Sequence, residues 1–406
     1  MDSYKKFTIQ YLLIVISLCL TIILFNWLIN PYNIYKSLSI KNINKVKPQV
    51  TFHLRLAKAM AVEWKKPEVI ILGSSTAETG LDPTFLGWHT KSIYNLGLSG
   101  ANIYEVLRYL QHAQSIRPLK KVVLAVNFFM FNAYVKNRED FDEAILLVDR
   151  NGKKNPLKMN SFFSTLLSYD ALKASITTIQ SQNQKNAFLS NGQLAHNYRT
   201  DQVQQLKGYK NHFLYAEKFN PQTFFPDPTK KFAFIDSKHR INTLSYMQQI
   251  IDICTKNNTE LIIVLVPEHV RLLETYKLLG LWSRYEEWQK TLVNLIQEHN
   301  DHYPHLPYTL WSFNKLNSYT TESLPAGDDN STVMKWFWDP FHFKNELGNL
   351  LLSVILNKQS QPNLIDFSTP LDTTNFLAEF NNNAQALKKW ESENLEQVNE
   401  LKKNLL

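Results

Sequence analysis

A hydroxyl, an imidazole and a carboxylate are what acyl transfer through a serine requires, and short stretches of this chain offer all three. Gly73-Ser74-Ser75 closes the apolar run 69–72, and the run Asn95-Leu96-Gly97-Leu98-Ser99-Gly100 closes a second one. Asp339-Pro340-Phe341-His342 precedes the last apolar helical pattern, "NELGNLLLSVIL". Attack on an acyl carbonyl needs a base to take the hydroxyl proton and a carboxylate to orient that base. It also needs N–H groups where oxyanion charge develops. Ser74 and Ser75 offer the hydroxyl, His342 the base and Asp339 the orienting acid. Gly100, Asn95, Asn127 and Asn132 stand at the same strand ends as candidates for oxyanion or substrate contact, with glycine allowing close backbone approach. Each stretch alone has a plainer reading: a serine after a strand caps a helix, and Asp-Pro starts one. It is their joint placement that favours chemistry. His269 also follows an apolar run and is a rival base, its nearest acid being Glu268. His302 and His305 stand among Tyr and Pro and do not make a metal site. No metal and no cofactor is expected. Asp339 is expected to raise the pKa of His342 above its usual value of about 6.5.

The elements that must position these groups alternate. Short apolar runs at 68–72, 92–98, 121–131, 260–266 and 308–313 read as strands. Helical stripes fall at 101–116, 244–256, 271–278 and 285–299, and a last helix follows 342. Strands alternating with helices predict an α/β fold with a doubly wound, mainly parallel sheet. Ligands bind such sheets beyond the carboxyl ends of the strands, where Ser75, Gly100, Asn127 and His342 all fall. The alternation breaks between about 132 and 235, which reads as a large insertion covering that edge of the sheet.

These blocks and their order resemble the SGNH (GDSL-like) hydrolase superfamily over about 68–355, outside the insertion. Its Gly-Asp-Ser block corresponds to Gly73-Ser74-Ser75, which implies Ser75 as nucleophile. Its Asn-x-x-x-x-Gly block matches Asn95 to Gly100 and implies Gly100 as the oxyanion glycine. Its Asp-x-x-His block matches Asp339 and His342. The Gly-x-Asn-Asp block is replaced by "AVNFFMFN", which leaves Asn127 or Asn132 to supply an amide. The Gly-Ser-Ser form is similar to the membrane-anchored acyl-transfer branch, with the D-alanylation D protein of teichoic acids and alginate O-acetylation proteins. The resemblance implies a flavodoxin-like sheet and a serine esterase or O-acyltransferase acting on acyl groups of envelope glycans or lipids. It also implies an integral-membrane acyltransferase as partner. The altered block leaves an alternative: a non-catalytic scaffold on the same fold, binding polymer or partners in an envelope export or modification machine.

Composition bounds the setting. The 406 residues include 44 Lys and Arg against 36 Asp and Glu, a net charge of +8. The basic residues are scattered, which argues against nucleic-acid binding. Two cysteines cannot build a disulfide framework. Residues 7–29, "FTIQYLLIVISLCLTIILFNWLI", carry no charge and match a bilayer span in length. Lys5 and Lys6 precede the run, Trp27 and Tyr32 suit an interface, and no small-residue cleavage site follows. The expected order is a cytoplasmic terminus (1–6), a transmembrane anchor (7–30), a neck (31–66), the α/β domain (67–357) and a charged helical tail (358–406). Lys36, Lys41, Lys45 and Lys47 on the far side do not themselves favour export. Long domains translocate regardless of such charge, so the expected site is the cytoplasmic (inner) membrane, single-pass, with the domain outside in the periplasm.

Overall fold

The apolar runs pair into one sheet. In the computed structural model, β1 (Val69–Gly73), β2 (Ile93–Gly97), β3 (Lys121–Val126), β4 (Glu260–Leu265) and β5 (Thr309–Ser312) run parallel in the order β2-β1-β3-β4-β5. A two-residue strand, β6 (Thr369–Pro370), closes one edge antiparallel to β5. The fold is α/β, with thirteen α-helices among the described residues, which are 2–155, 165–226, 231–327, 329–357 and 366–405. Ile70, Ile71 and Leu72 of β1 and residues 122–126 of β3 are buried, as strands covered on both faces must be. The strand order reverses between β1 and β3, and a crevice opens outside the carboxyl ends at such a switch point. Register places Gly73 beside Ala125, so Ser75 and Asn127 leave the sheet side by side.

One strand-end expectation is corrected. The run 121–131 is not one strand: β3 stops at Val126 and Phe128–Phe131 forms a 3-10 turn. An unbroken apolar run cannot tell a buried strand from a buried turn. Here Phe128 packs on Phe232 and Tyr276, and Phe129 stacks on Phe224. Asp-Pro starts no helix either, because Asp339 makes a turn and the helix begins only at Asn345.

Contacts divide the chain into two units: Met1–Lys66 with Glu139–Leu189, and Pro67–Arg138 with Ser190–Leu406. The expected insertion is therefore shared between them. In the sheet unit the elements that matter below are α3 (Ser75–Gly80), α4 (Ile103–Ile116), α6 (His196–Gln205), α7 (Tyr209–Phe224), α9 (Val270–Leu278), α11 (Asn345–Asn357) and the terminal α13 (Leu395–Leu405). The end of the tail is part of this unit. Arg271, fully buried, pairs with Glu217 at 2.5 Å and with Glu400 of α13 at 3.3 Å. The start of the expected tail, 358–365, lies outside the described residues.

In the other unit, α1 (Asp2–Ile29) is long and apolar enough to cross a membrane, with a mean hydropathy of 2.7 over its most apolar window. The neck, α2 (Leu54–Lys65) and α5 (Tyr169–Gln180) build a small core on Tyr32, Ile34, Leu166, Ala171 and Ala174.

Candidate active site

Two serines stand at the end of β1, and their surroundings separate them. Ser74 is the N-cap of α3: its Oγ accepts from Thr76 N at 3.4 Å and donates to Asn127 Oδ1 at 3.0 Å. It is wholly buried. Ser75 opens the helix instead, where N–H groups lack helical acceptors. Its hydroxyl donates to His342 Nε2 at 2.8 Å.

His342 is held from its other side. Nδ1–H donates to Asp339 Oδ2 at 2.7 Å and to Oδ1 at 2.9 Å. A carboxylate can only accept, so this contact fixes the tautomer and leaves Nε2 as the acceptor facing Ser75. Asp339 Oδ1 also accepts from the backbone N–H of Phe341 at 2.9 Å and of His342 at 3.1 Å. Aspartate makes such local turns readily, which is why an Asp-x-x-His spacing suffices to close the pair. The loop is clamped at several points. Trp338 N donates to His342 O at 2.8 Å, Lys344 N to Trp336 O at 2.7 Å, and His269 N at the end of β4 to Pro340 O at 3.1 Å. The Lys344 ammonium donates to Tyr209 Oη at 2.6 Å and lies 4.3 Å from the Trp338 ring centre.

Two residues not foreseen as site residues face Asp339. Arg199 of α6 lies 3.9 Å from Asp339 Oδ2 and donates to Thr79 Oγ1 at 3.2 Å. His212 of α7 donates from Nδ1 to Trp338 O at 2.9 Å. Both lie in the stretch expected only as an insertion, so no spacing in the sequence pointed to them. Burial would raise the Asp339 carboxyl, but the charge and hydrogen bond of His342, with His212 and Arg199, hold it well below the usual carboxylate range. The expected rise at His342 does not occur. Burial and the Arg199 charge push its imidazole below the usual value, outweighing Asp339. The base is thus neutral at pH 7.

The amide side chains take other work. Asn95 donates to Ala77 O and Leu81 O, both at 2.8 Å, and accepts from Gly97 N at 2.9 Å, so it fixes the end of α3. Asn132 donates to Phe224 O and Lys231 O, both at 2.8 Å, away from Ser75. Asn127 lies next to the nucleophile turn, but its Oδ1 accepts from Thr76 Oγ1 at 2.7 Å while its Nδ2 donates to Glu268 Oε1 at 3.2 Å. Asn95 and Asn132 thus spend both amide N–H groups on backbone carbonyls, while Asn127 gives one of its two to Glu268. Gly100 has φ +65°, and a Cβ there would sit 3.3 Å from Arg138 Nε. The positive φ is one that side chains rarely adopt, and the Arg138 side chain lines the space a Cβ would take.

His269, the rival base, is spent. Its Nε2 donates to Glu322 O at 2.8 Å and its Nδ1 accepts from Arg271 N at 3.3 Å, while burial drives its pKa down to about 3. Glu268 is buried and raised to about 7 by that burial, its Oε1 also accepting from Tyr276 Oη at 3.1 Å. Among the described residues no group of His, Cys, Asp and Glu is arranged to hold a metal ion. No protein-family model matches the chain, and no curated protein matches it in sequence.

Proposed function

We propose that the chain is a membrane-anchored serine esterase or O-acyltransferase of SGNH type, acting outside the cytoplasmic membrane on acyl groups of envelope glycans or lipids. The observation that carries this reading is the linear relay Ser75 Oγ to His342 Nε2 at 2.8 Å and His342 Nδ1 to Asp339 at 2.7 Å. Its position at the β1/β3 switch point supports it. So does α1, which suits an anchor next to envelope substrates.

In this mechanism Ser75 Oγ bonds to the acyl carbon as its proton passes to His342 Nε2. The carbonyl electron pair moves onto oxygen, and the backbone N–H groups of Ser75 and Gly100 receive that charge. Asp339, already ionised, stabilises the imidazolium without taking its proton. Collapse expels the alcohol oxygen, which takes the proton from His342 and leaves an acyl-Ser75. Water or a glycan hydroxyl then attacks the acyl carbon, giving its proton to His342, and the bond to Ser75 Oγ breaks as that oxygen takes the proton back from His342. An integral-membrane acyltransferase is the partner this chemistry would serve in transfer.

A fluorophosphonate probe tests the reading, because only an activated serine is phosphonylated. The expected result is one adduct, mapped by peptide mass to Ser75 and lost in Ser75→Ala. A folded wild-type chain that stays unmodified would overturn it in favour of a non-catalytic scaffold on the same sheet. The hydrogen bonds of Asn95 and Asn132 to backbone carbonyls are the observation on that side.

A further inference from the structure

The end of α1 is not a free stalk. Asn26 donates to Leu166 O at 2.8 Å and accepts from Ser175 Oγ of α5 at 2.7 Å. Asn44 of the neck donates to Leu28 O at 2.9 Å, and the Lys47 ammonium donates to Ile29 O at 2.6 Å. Gln182 closes the ring, accepting from Val46 N at 3.0 Å and donating to Val46 O at 2.9 Å. The neck and α5 are therefore both fastened to the last turn of α1.

That turn has a definite depth if α1 is the anchor. A hydrocarbon core of about 30 Å takes about 20 helical residues, and counted from Phe7 its far edge falls at about Asn26. Whatever is fastened there lies at the headgroup boundary. The groups fastened there carry exposed apolar side chains. In the neck, Leu38 is 83% exposed, Ile40 47% and Ile43 40%, and they alternate with exposed Lys36, Lys41 and Lys45. On α5, Ala171, Ala174, Ser175 and Thr178 are buried. A stripe on the flank of that face holds half-buried Leu172 with exposed Ile176 and Ile179, at i, i+4 and i+7, Ile176 being 45% exposed.

We infer that the neck and α5 form a membrane-seating surface, which rests its leucine and isoleucine side chains in the headgroup boundary of an anionic bilayer. Two features select lipid over a protein occupant: continuity with the lipid-facing surface of α1, and lysines interleaved with the apolar tips. Apolar burial plus Lys attraction to acidic headgroups is how interfacial segments bind. The inference rests on α1 being an anchor, and the experiment separates the two.

The test uses the full chain with Cys19→Ala and Cys254→Ala, reconstituted as single copies in lipid nanodiscs. Nitroxide labels go on Leu38→Cys, Ile176→Cys, a mid-helix control Val15→Cys and a solvent control Leu86→Cys, Leu86 being 98% exposed. Collision rates with oxygen and with a water-soluble nickel chelate report depth. The expected oxygen-to-nickel ratio at Leu38→Cys and Ile176→Cys lies several-fold above Leu86→Cys and below Val15→Cys. It rises further when phosphatidylglycerol replaces part of the phosphatidylcholine, and Lys36→Gln, Lys41→Gln and Lys45→Gln together abolish that rise. Labels as water-exposed as Leu86→Cys, with Val15→Cys deep, overturn the seating surface and leave the anchor standing. Shielding that appears only in discs holding two copies overturns it in favour of a dimer contact. A water-exposed Val15→Cys removes the anchor itself.

Discussion

Gly348 tests whether the relay is set by the packing of two helices. Gly348 lies in α11, just beyond His342, and a Cβ there would stand 1.8 Å from Gly80 O at the end of α3. Ser75 begins that same α3. Gly348→Ala must therefore drive the two carriers of the relay apart by roughly 1.5 Å to restore van der Waals contact. The Phe343 ring wedged against Gly80 leaves little slack, since a Cβ at Gly80 would meet it at 2.1 Å. Even half of that displacement stretches the 2.8 Å Ser75–His342 contact out of normal hydrogen-bond range. Misplacement by about 1 Å can cost about 100-fold in rate, whereas overpacking of this kind costs about 1–3 kcal/mol in stability. The assay is the second-order rate of fluorophosphonate labelling at pH 7.5, with urea unfolding in parallel. Exposed Glu346→Ala on the same helix serves as control. The expected result is a rate lower by about two orders of magnitude in a chain that still unfolds cooperatively. A folded Gly348→Ala that labels at the wild-type rate would refute the argument that this helix contact sets the catalytic distance.

The other expectations concern the site itself. Ser75→Ala should abolish labelling, while Ser74→Ala should keep it within about tenfold and lose about 1 kcal/mol of stability with its cap, read by urea midpoints. Asp339→Asn should slow labelling by about 10⁴-fold, the size seen for the same change in serine-protease triads, because the amide favours the wrong imidazole tautomer. Labelling by the wild type should fall on acidification with a midpoint below about 6.5. His342 is shifted down, so it accepts its inactivating proton only under more acidic conditions than a free histidine. A midpoint above 7 would contradict the burial and Arg199 argument. Glu268, raised to about 7, keeps its proton in the folded state where the unfolded chain has lost it. Its neutral form favours folding at low pH, and stability drains as pH rises from about 4.5 through 7. Glu268→Gln should therefore match the wild type at pH 5 and exceed it at pH 8 in urea midpoint. An equal loss at both values would refute this.

How much of this was legible beforehand differs from element to element. Continuous apolar runs such as 69–72 and 261–265 read as buried parallel strands because a sheet covered on both faces tolerates nothing else. The uncharged run from Phe7 read as a span-length helix for an equally local reason, the cost of charge in such a segment. Asp339 and His342 were recognisable as a pair because a three-residue turn can join them without help from the rest of the chain. Ser75 could be chosen over Ser74 only by resemblance, and the tertiary structure shows the physical difference: one hydroxyl is spent on Asn127, the other meets an imidazole 267 residues away. The fates of Asn95, Asn127 and Asn132 were not legible at all. An amide side chain bonds to whichever carbonyls or hydroxyls packing brings near, and those belong to α3, Glu268, Phe224 and Lys231. The pKa of His342 went the same way. A neighbouring aspartate is visible in sequence, but burial and a guanidinium from α6 act through space, and together they decide the sign.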